Sequence, residues 1–325
     1  MRIVVTGVNG QIATSLIERG RGRADIIALG RPRLELTNRE SVLRAIEASP
    51  CDIIVNAAAY TAVDKAEQEP GEAMRINADG AAHVAEAAAI AGVPLLQLST
   101  DYVFNGAGER PYRETDPTGP TSAYGRSKLA GESRVLAAQP NCAILRTAWV
   151  YSPFGANFVR TMLRLGETRE EVSVVADQHG NPTYALDIAD ALLAIAARLA
   201  DDASLDLRGV FHMTGQGEAT WADVAEATFA AAERHGRKPV RVRRIGTLDY
   251  PTPAKRPANS RLDNDKLSRT YGVVLPEWRR SPFPVFRAKS GLPGPPRTAA
   301  RSRCRGPFQQ VPAPRAIARR PARLS

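Results

Sequence analysis

Residues 3–13 read IVVTGVNGQIA, a short apolar run that leads through a glycine-containing turn into a helical segment. Gly7 allows a tight turn at the end of the strand, and Gly10 lets the backbone approach a pyrophosphate at the N-terminus of the following helix. Ala13 stands where dinucleotide-binding folds often carry a third glycine, and it still permits close packing of helix against strand. Because the turn follows the first strand and opens a β–α–β unit, it predicts a dinucleotide site rather than a plain structural turn.

The strand–helix alternation continues through the first half of the chain. Apolar, strand-like runs occur at 26–29, 52–59, 94–100 and 143–151, and helix-like runs occur at 11–19, 39–47, 73–91 and 124–138. Nearly continuous apolar strands indicate a parallel sheet that is covered on both faces. The predicted fold class is α/β, a doubly wound parallel (Rossmann) sheet, with its ligand at the carboxyl ends of the strands.

Three regions are predicted along the chain. Residues 1–151 form the NAD(P)-binding Rossmann domain, and residues 152–280 form a smaller C-terminal substrate-binding region that can also return strands to the sheet. Residues 281–325 form a tail rich in proline and arginine, with nine of the 24 prolines from Pro282 onward. A segment with so little apolar surface cannot offset its chain entropy, so we expect the tail to be disordered.

The net charge of +10 comes from the end of the chain alone. Residues 279–325 hold 12 Lys and Arg and no acid, which leaves 32 basic and 34 acidic residues elsewhere. The body of the protein therefore shows no electrostatic footprint for a nucleic acid. Three scattered cysteines exclude a disulfide framework or zinc site, and the absence of a long apolar run argues against a membrane span. We expect a cytoplasmic protein.

The end of the second predicted strand bears on the choice of cofactor. An acidic residue there binds the ribose hydroxyls of NAD, whereas a basic residue accommodates the 2′-phosphate of NADP. The sequence after Leu29 is GRPR, with no acid before Glu35. Arg31 therefore favours NADPH, with NADH as the alternative, and a solvated surface role for this arginine stays open.

A tyrosine and a lysine lie four residues apart in SAYGRSKLAGE (122–132), on one face of a predicted helix. A free phenol has a pKa of about 10, and a neighbouring ammonium favours its ionised form. Lys128 is thus expected to lower the pKa of Tyr124 towards the range useful for acid–base work and to hold the nicotinamide ribose. Thr100 and Asp101 end a predicted strand, where a hydroxyl can bind a substrate carbonyl beside the phenol. Plain strand-end capping by Thr100 is the alternative.

Several longer stretches resemble the extended short-chain dehydrogenase/reductases and, within them, the dTDP-4-dehydrorhamnose reductases. The resemblance covers roughly residues 1–280. The stretches that carry it are VTGVNGQIA (5–13), NAAAYTAVDKAE (56–67), STDYVFNG (99–106), the Tyr-x-x-x-Lys pair, RTAWVY (146–151), NFVRTML (157–163), ADQHGNPTY (176–184) and YPTPAKRPANSRLD (250–263). The last two are more specific to this family than any Rossmann element. After residue 281 the chain departs from the closing helix that the family leads one to expect.

The resemblance implies roles for individual residues. It assigns the pyrophosphate loop to Gly7, Asn9, Gly10, Gln11 and Ile12, and the strand end along the cofactor to Ala57, Ala58 and Ala59. It assigns catalysis to Thr100, Tyr124 and Lys128. The residues assigned to substrate binding are Thr100, Asp101, Tyr124, Trp149, Arg256 and Asn259. Trp149 as plain core and Arg256 as a structural ion pair are the alternatives.

The implied reaction is the reduction of dTDP-4-dehydro-L-rhamnose to dTDP-L-rhamnose, by hydride transfer from NAD(P)H with Tyr124 as the proton donor. A reductase or epimerase of another nucleotide-linked keto-deoxysugar, and a non-catalytic regulatory subunit of the same fold, stay open. The expected partner is the dTDP-sugar, and no nucleic acid or membrane partner is expected. A homodimer stays open. No residue pattern assigns a metal; Mg²⁺ stays undecided, since acidic residues such as Glu18 are too common to assign.

Overall fold

Apolar residues alternate between two buried faces along the central strands of the computed structural model, which describes residues 1–283. On β1, Ile3 and Val5 pack into one core and Val4 packs into the other, and all three are fully buried. The twelve strands are β1 (Arg2–Thr6), β2 (Asp25–Leu29), β3 (Ile53–Asn56), β4 (Leu95–Thr100), β5 (Cys142–Thr147), β6 (Val150–Tyr151), β7 (Glu171–Val175), β8 (His179–Gly180), β9 (Thr183–Tyr184), β10 (Gly209–His212), β11 (Ala219–Thr220) and β12 (Arg241–Ile245) in this described part.

Helices cover both faces of the central sheet. The α-helices of residues 1–283 are α1 (Gln11–Gly20), α2 (Arg39–Glu47), α3 (Val63–Ala66), α4 (Pro70–Met74), α5 (Gly80–Ala91), α6 (Ala123–Ala138), α7 (Phe158–Leu165), α8 (Ala185–Asp201), α9 (Trp221–Glu233) and α10 (Asp265–Tyr271). Residues of α1 and α8 fill the core on one face, and residues of α2 and α5 fill the core on the other. Burial of both faces explains why the strands read as continuous apolar runs.

The sheet has the order β10-β5-β4-β3-β1-β2, and all its neighbouring strands run parallel. The chain moves from β1 to β2 on one side and then crosses to β3 on the other side of β1. Such a switch point leaves a crevice at the carboxyl ends of the strands, where ligands bind in this class of sheet. The predicted α/β class and doubly wound parallel sheet are confirmed.

Three predicted elements differ in detail from the structure. The helical run predicted for 73–91 is interrupted at Arg75–Asp79 by a π-helical turn. In this turn the Asn77 side chain accepts a hydrogen bond from the N–H of Tyr60 and donates one to its carbonyl. The strand predicted for 52–59 ends at Asn56. The strand predicted for 143–151 is split, because Trp149 adopts a left-handed backbone conformation with φ of 47°. Val150 and Tyr151 then pair with β9 instead of extending β5.

Residues beyond 151 contribute to two parts of the molecule. β10 joins the central sheet beside β5, while α7, α9, β7 and β12 build a smaller layer with its own apolar clusters. The division of function at residue 151 stays a prediction. The proline- and arginine-rich tail at 281–325, predicted to be disordered, lies outside the described residues from position 284 onward. None of the helices in the described part is both long and apolar enough to cross a membrane.

Candidate active site

A cavity of about 1010 Å³ opens at the carboxyl ends of β1 to β5. Most of the residues predicted for the site line it, although they come from distant parts of the sequence. These residues are Gly7, Asn9, Gly10, Gln11, Ile12, Arg31, Ala57, Ala58, Ala59, Thr100, Asp101, Tyr124, Lys128 and Trp149. Arg256 and Asn259 are not among the lining residues.

The turn between β1 and α1 has the geometry that a pyrophosphate needs. Gly7 has a φ of +92°, and a side chain there would meet Ala58 at 3.5 Å. Gly10 is the N-cap of α1, makes no side-chain cap and faces open space. The first turn of the helix carries no acidic residue, so its free N–H groups and its dipole favour an anion. The residues present therefore fit a dinucleotide.

Gln11 connects this turn to the segment after β6. Its Oε1 accepts hydrogen bonds from Ser152 Oγ at 2.8 Å and from Asn157 Nδ2 at 3.0 Å. Asn157 also caps α7, since its Oδ1 accepts from the N–H of Arg160. The side chain of Gln11 thus holds the wall of the cavity together, and only its backbone is free to contact a phosphate.

The far end of the cavity lies beyond β2, where a basic and an acidic side chain stand together. The Arg31 side chain is 84% exposed, and its Nε lies 3.9 Å from Glu35 Oε2. Glu35 also lines the cavity, a position that the sequence analysis did not assign to the site. Its Oε1 is engaged by the backbone N–H and hydroxyl of Thr37. Arg31 is therefore the exposed, movable cation at this end.

The end of β4 meets the start of α6 at the centre of the cavity. Thr100 Oγ1 donates to Asp101 Oδ1 at 2.9 Å, and Thr100 and Tyr124 both line this part of the cavity. The Tyr124 ring packs edge-on against Tyr102, with centroids 5.6 Å apart. Burial raises the pKa of Asp101 to about 6, so this carboxyl is ionised at neutral pH. Thr100 and Tyr124 thus present two adjacent hydroxyls to the cavity.

The pKa of the Tyr124 phenol is raised, because burial disfavours its charged form more than the Thr100 hydrogen bond favours it. The sequence had suggested the opposite direction, through the ammonium of Lys128. That ammonium instead donates to the carbonyl of Leu98 at 2.7 Å, and burial lowers the pKa of Lys128 to about 8. The correction makes Tyr124 a firmly protonated phenol, which suits a proton donor.

A chain of buried hydrogen bonds supports Lys128 from beneath. Thr6 Oγ1 donates to Asn56 Oδ1, Asn56 Nδ2 donates to Gln97 Oε1 at 2.7 Å, and Gln97 Nε2 donates to Leu98 O at 2.8 Å. These side chains lie on neighbouring strands β1, β3 and β4. Because the Leu98 carbonyl accepts from both Gln97 and Lys128, the network fixes the acceptor that holds the ammonium.

One wall of the cavity is built from stacked indole rings. Trp149 stacks on Trp221 with ring centroids 3.6 Å apart and planes 7° from parallel, and Phe158 packs against Trp221. Gly180 lets the ring lie close to the backbone, since a Cβ there would come within 2.4 Å of Trp149 Cε2. Trp221 lines the cavity, and no local sequence signal places it beside Trp149.

The proline-rich loop contributes differently from what its sequence suggested. Arg256 Nη2 pairs with Asp64 Oδ2 at 2.6 Å, and Arg256 also interacts with the Tyr102 hydroxyl. Its Nη1 is buried and has no partner in the described residues. Substrate binding by Asn259 stays a prediction; its amide donates to the carbonyls of Gly108 and Arg110 at 2.7 and 2.8 Å and its Oδ1 accepts from Arg261. Its side chain therefore holds a loop.

No group of three or more His, Cys, Asp or Glu residues suited to a metal ion occurs in the part of the chain that the structure describes.

Comparison with known proteins shows the family of the chain. The family model described as the RmlD substrate binding domain matches residues 1–285. The chain belongs to the RmlD family.

Relatives of the RmlD family agree in sequence and in structure. A dTDP-4-dehydrorhamnose reductase of Sinorhizobium fredii is 54% identical over 281 residues, which cover 86% of this chain and 95% of that protein. The crystal structure of the Clostridium acetobutylicum enzyme of the same name has a TM-score of 0.79 at 38% identity, and covers 86% of this chain and 96% of that one. The Bacillus anthracis enzyme, solved in complex with NADP, has a TM-score of 0.79 at 36% identity, with coverages of 86% and 95%. The family resemblance inferred from the sequence is confirmed.

Proposed function

We propose that this protein reduces dTDP-4-dehydro-L-rhamnose to dTDP-L-rhamnose with a nicotinamide cofactor, and that Tyr124 supplies the proton. Its relatives in Sinorhizobium fredii and Clostridium acetobutylicum bear the name of that reaction. The observation that carries the proposal is that a protonated phenol, Thr100 and Lys128 line the same cavity as a pyrophosphate-type turn.

The cofactor would lie across the carboxyl ends of the strands. Gly7, Asn9, Gly10, Gln11 and Ile12 would hold its pyrophosphate through backbone N–H groups, and Ala57, Ala58 and Ala59 would lie along it. Lys128 would hold the nicotinamide ribose. We propose NADPH as the preferred form, because Arg31 is free to pair with a 2′-phosphate; the Bacillus anthracis relative was solved with NADP. The bound nicotinamide supplies the hydride.

The protein's own contribution is alignment and proton supply. Thr100 and Tyr124 would both contact the ketone oxygen, so that negative charge develops there beside two hydroxyls. Tyr124 then transfers its proton to that oxygen, and the alcohol product forms. The raised pKa of the phenol means that the proton is present at any physiological pH. Lys128, held by the Leu98 carbonyl one helical turn from Tyr124, would supply the positive charge that stabilises the phenolate that remains.

The sugar and nucleotide would occupy the side of the cavity away from the cofactor turn. Trp149 would offer an apolar face against the deoxysugar, and Asp101 lines the same cavity. Arg256, with one buried and unpartnered N–H group, is the proposed contact for the diphosphate. Asn259 is proposed only as a support for the neighbouring loop.

The test is NADPH oxidation with dTDP-4-dehydro-L-rhamnose made by coupled upstream enzymes, with product identified by mass and NMR. One dTDP-L-rhamnose per NADPH consumed is the expected result. An epimerase would convert the sugar without consuming NADPH, and a regulatory subunit would do neither. Absence of oxidation by folded protein would refute the proposal. The homodimer, the cytoplasmic location and any role for Mg²⁺ stay predictions to be checked separately.

A further inference from the structure

The helix that carries Tyr124 and Lys128 contacts β4 at three successive residues and is hydrogen-bonded to two of them. The Leu98 carbonyl accepts from Lys128 Nζ, Ser99 Oγ donates to Glu132 Oε1, and the next residue, Thr100, interacts with the Tyr124 phenol. The three partners on α6 are spaced four residues apart, so they form one stripe along the helix. The last of them, Glu132, has no part in the proposed reaction.

Glu132 is held by an arginine of the neighbouring strand. Arg146 Nε donates to Glu132 Oε1 at 2.9 Å, and Arg146 Nη2 donates to Oε2 at 2.7 Å, a two-point ion pair. Arg146 lies directly beside Ser99 in the register of β4 and β5, so both strands present a donor to the same carboxylate. The Arg146 and Glu132 side chains are only 5% and 4% exposed.

A buried ion pair of this kind is a poor source of stability. Removing both charges from water costs several kcal/mol, and apolar replacements of similar volume are often as stable or more so. A pair placed one helical turn beyond Lys128, and joined to the strand that carries Thr100, points to a different use. It fixes how α6 sits on β4, and it puts a carboxylate near the buried ammonium.

We propose that Glu132, clamped by Ser99 and Arg146, is a positioning residue that sets the register of α6 on β4 and keeps Lys128 protonated. This inference rests on the proposed function only for the role of Lys128, which is to hold the nicotinamide ribose and stabilise the phenolate. The carboxylate itself touches neither the reacting atoms nor the cavity, so it acts through Lys128 and Tyr124.

The charges around Lys128 agree with this assignment. Burial lowers the pKa of Lys128 to about 8, and the charge of Glu132 opposes that fall. The charged and titratable groups on the other elements packed against α6 include Asp101 and Tyr102 in the turn after β4, Arg146 on β5, and Asp79 in the π-helical turn, which pairs with Arg134. At the start of α6, Glu67 accepts from the N–H of Ala123 and pairs with Arg126, and on α4 Glu72 pairs with Arg75. Burial raises the pKa of Asp101 to about 6 and that of Tyr102 to about 12, so neither changes charge between pH 7 and 9.

The test is a direct titration of Lys128 in the cofactor-free protein. The chain has six lysines, so ¹³Cε-lysine labelling gives few NMR resonances, and Lys128→Arg identifies the one of interest. We compare wild type with Glu132→Gln and with the double variant Glu132→Gln/Arg146→Met, which leaves no unpaired buried charge. Arg134→Met is the matched control, since it removes an ion pair from the same helix elsewhere.

The expected midpoint of Lys128 is near pH 8 in wild type and in Arg134→Met. In folded Glu132→Gln it falls by about one pH unit or more, since a nearby opposite charge shifts a pKa by that amount. In the double variant it falls by less, because loss of the Arg146 charge by itself raises the pKa of Lys128. The alkaline limit of kcat/KM for NADPH oxidation moves by the same amount. An unchanged midpoint in a folded Glu132 variant overturns the inference. Because the titration needs no sugar, it stands even if the protein reduces a different substrate.

Discussion

Gly180→Ala tests whether the position of Trp149 matters for the substrate. A Cβ at residue 180 would lie 2.4 Å from Trp149 Cε2 and 2.7 Å from its Nε1, whereas ordinary contact begins near 3.4 Å. The indole must therefore move by about 1 Å, against its stack on Trp221. Overpacking of this size costs about 1–3 kcal/mol of folding free energy. A misplacement of about 1 Å in a substrate contact can reduce kcat/KM by up to about 100-fold.

The assay separates substrate handling from cofactor binding. We expect kcat/KM for the keto-sugar to fall at least tenfold in Gly180→Ala, with the Kd of NADPH, measured by fluorescence, within twofold of wild type. The unfolding free energy comes from urea titration. Gly71→Ala is the control, because a Cβ there meets nothing within 4 Å and the site is helical. Wild-type kcat/KM in folded Gly180→Ala would refute the role given to Trp149.

Three further predictions concern the cofactor and the loop. Arg31→Ala should raise the KM of NADPH about tenfold and leave that of NADH unchanged, because a charge-assisted hydrogen bond is worth about 1.5 kcal/mol; equal effects on both would contradict the assignment. NADPH affinity should fall as the pH rises through about 8, where Lys128 loses its proton. Deprotonation of Lys128 should also raise the free energy of unfolding between pH 8 and about 10.5, because the unfolded chain still holds this proton there. A joint loss of stability and of NADPH affinity in this pH range would contradict the assignment. Asn259→Ala should lower the unfolding free energy by about 1–3 kcal/mol through two lost hydrogen bonds, and calorimetry showing no change would exclude the loop-holding role.

The site residues that could be predicted from the sequence lie close together within one short segment of the chain. Gly7 and Gly10 lie in one turn between a strand and a helix, and Tyr124 and Lys128 lie on one helix. Thr100 ends a strand whose apolar pattern is unmistakable. Since strand ends of a parallel sheet share one edge, these segments could be placed together from the sequence alone.

The parts that were missed depend on contacts between distant segments. Trp221 is 72 positions from Trp149, and only the folded chain stacks the two rings. The family resemblance assigned Asn259 to substrate binding, and only the folded chain shows that its amide donates to carbonyls about 150 positions earlier. The pKa of Tyr124 is raised because the phenol is buried, and the four-residue spacing to Lys128 does not show that burial.

The most direct test of the account is a single-turnover measurement of NADPH oxidation by Tyr124→Phe at saturating keto-sugar. The variant keeps the ring and its edge-on packing with Tyr102, and removes only the hydroxyl. Loss of a positioned acid predicts a rate about 100-fold to 10,000-fold below wild type, with NADPH binding preserved. A rate within a few-fold of wild type would mean that the phenol of Tyr124 is not the proton donor.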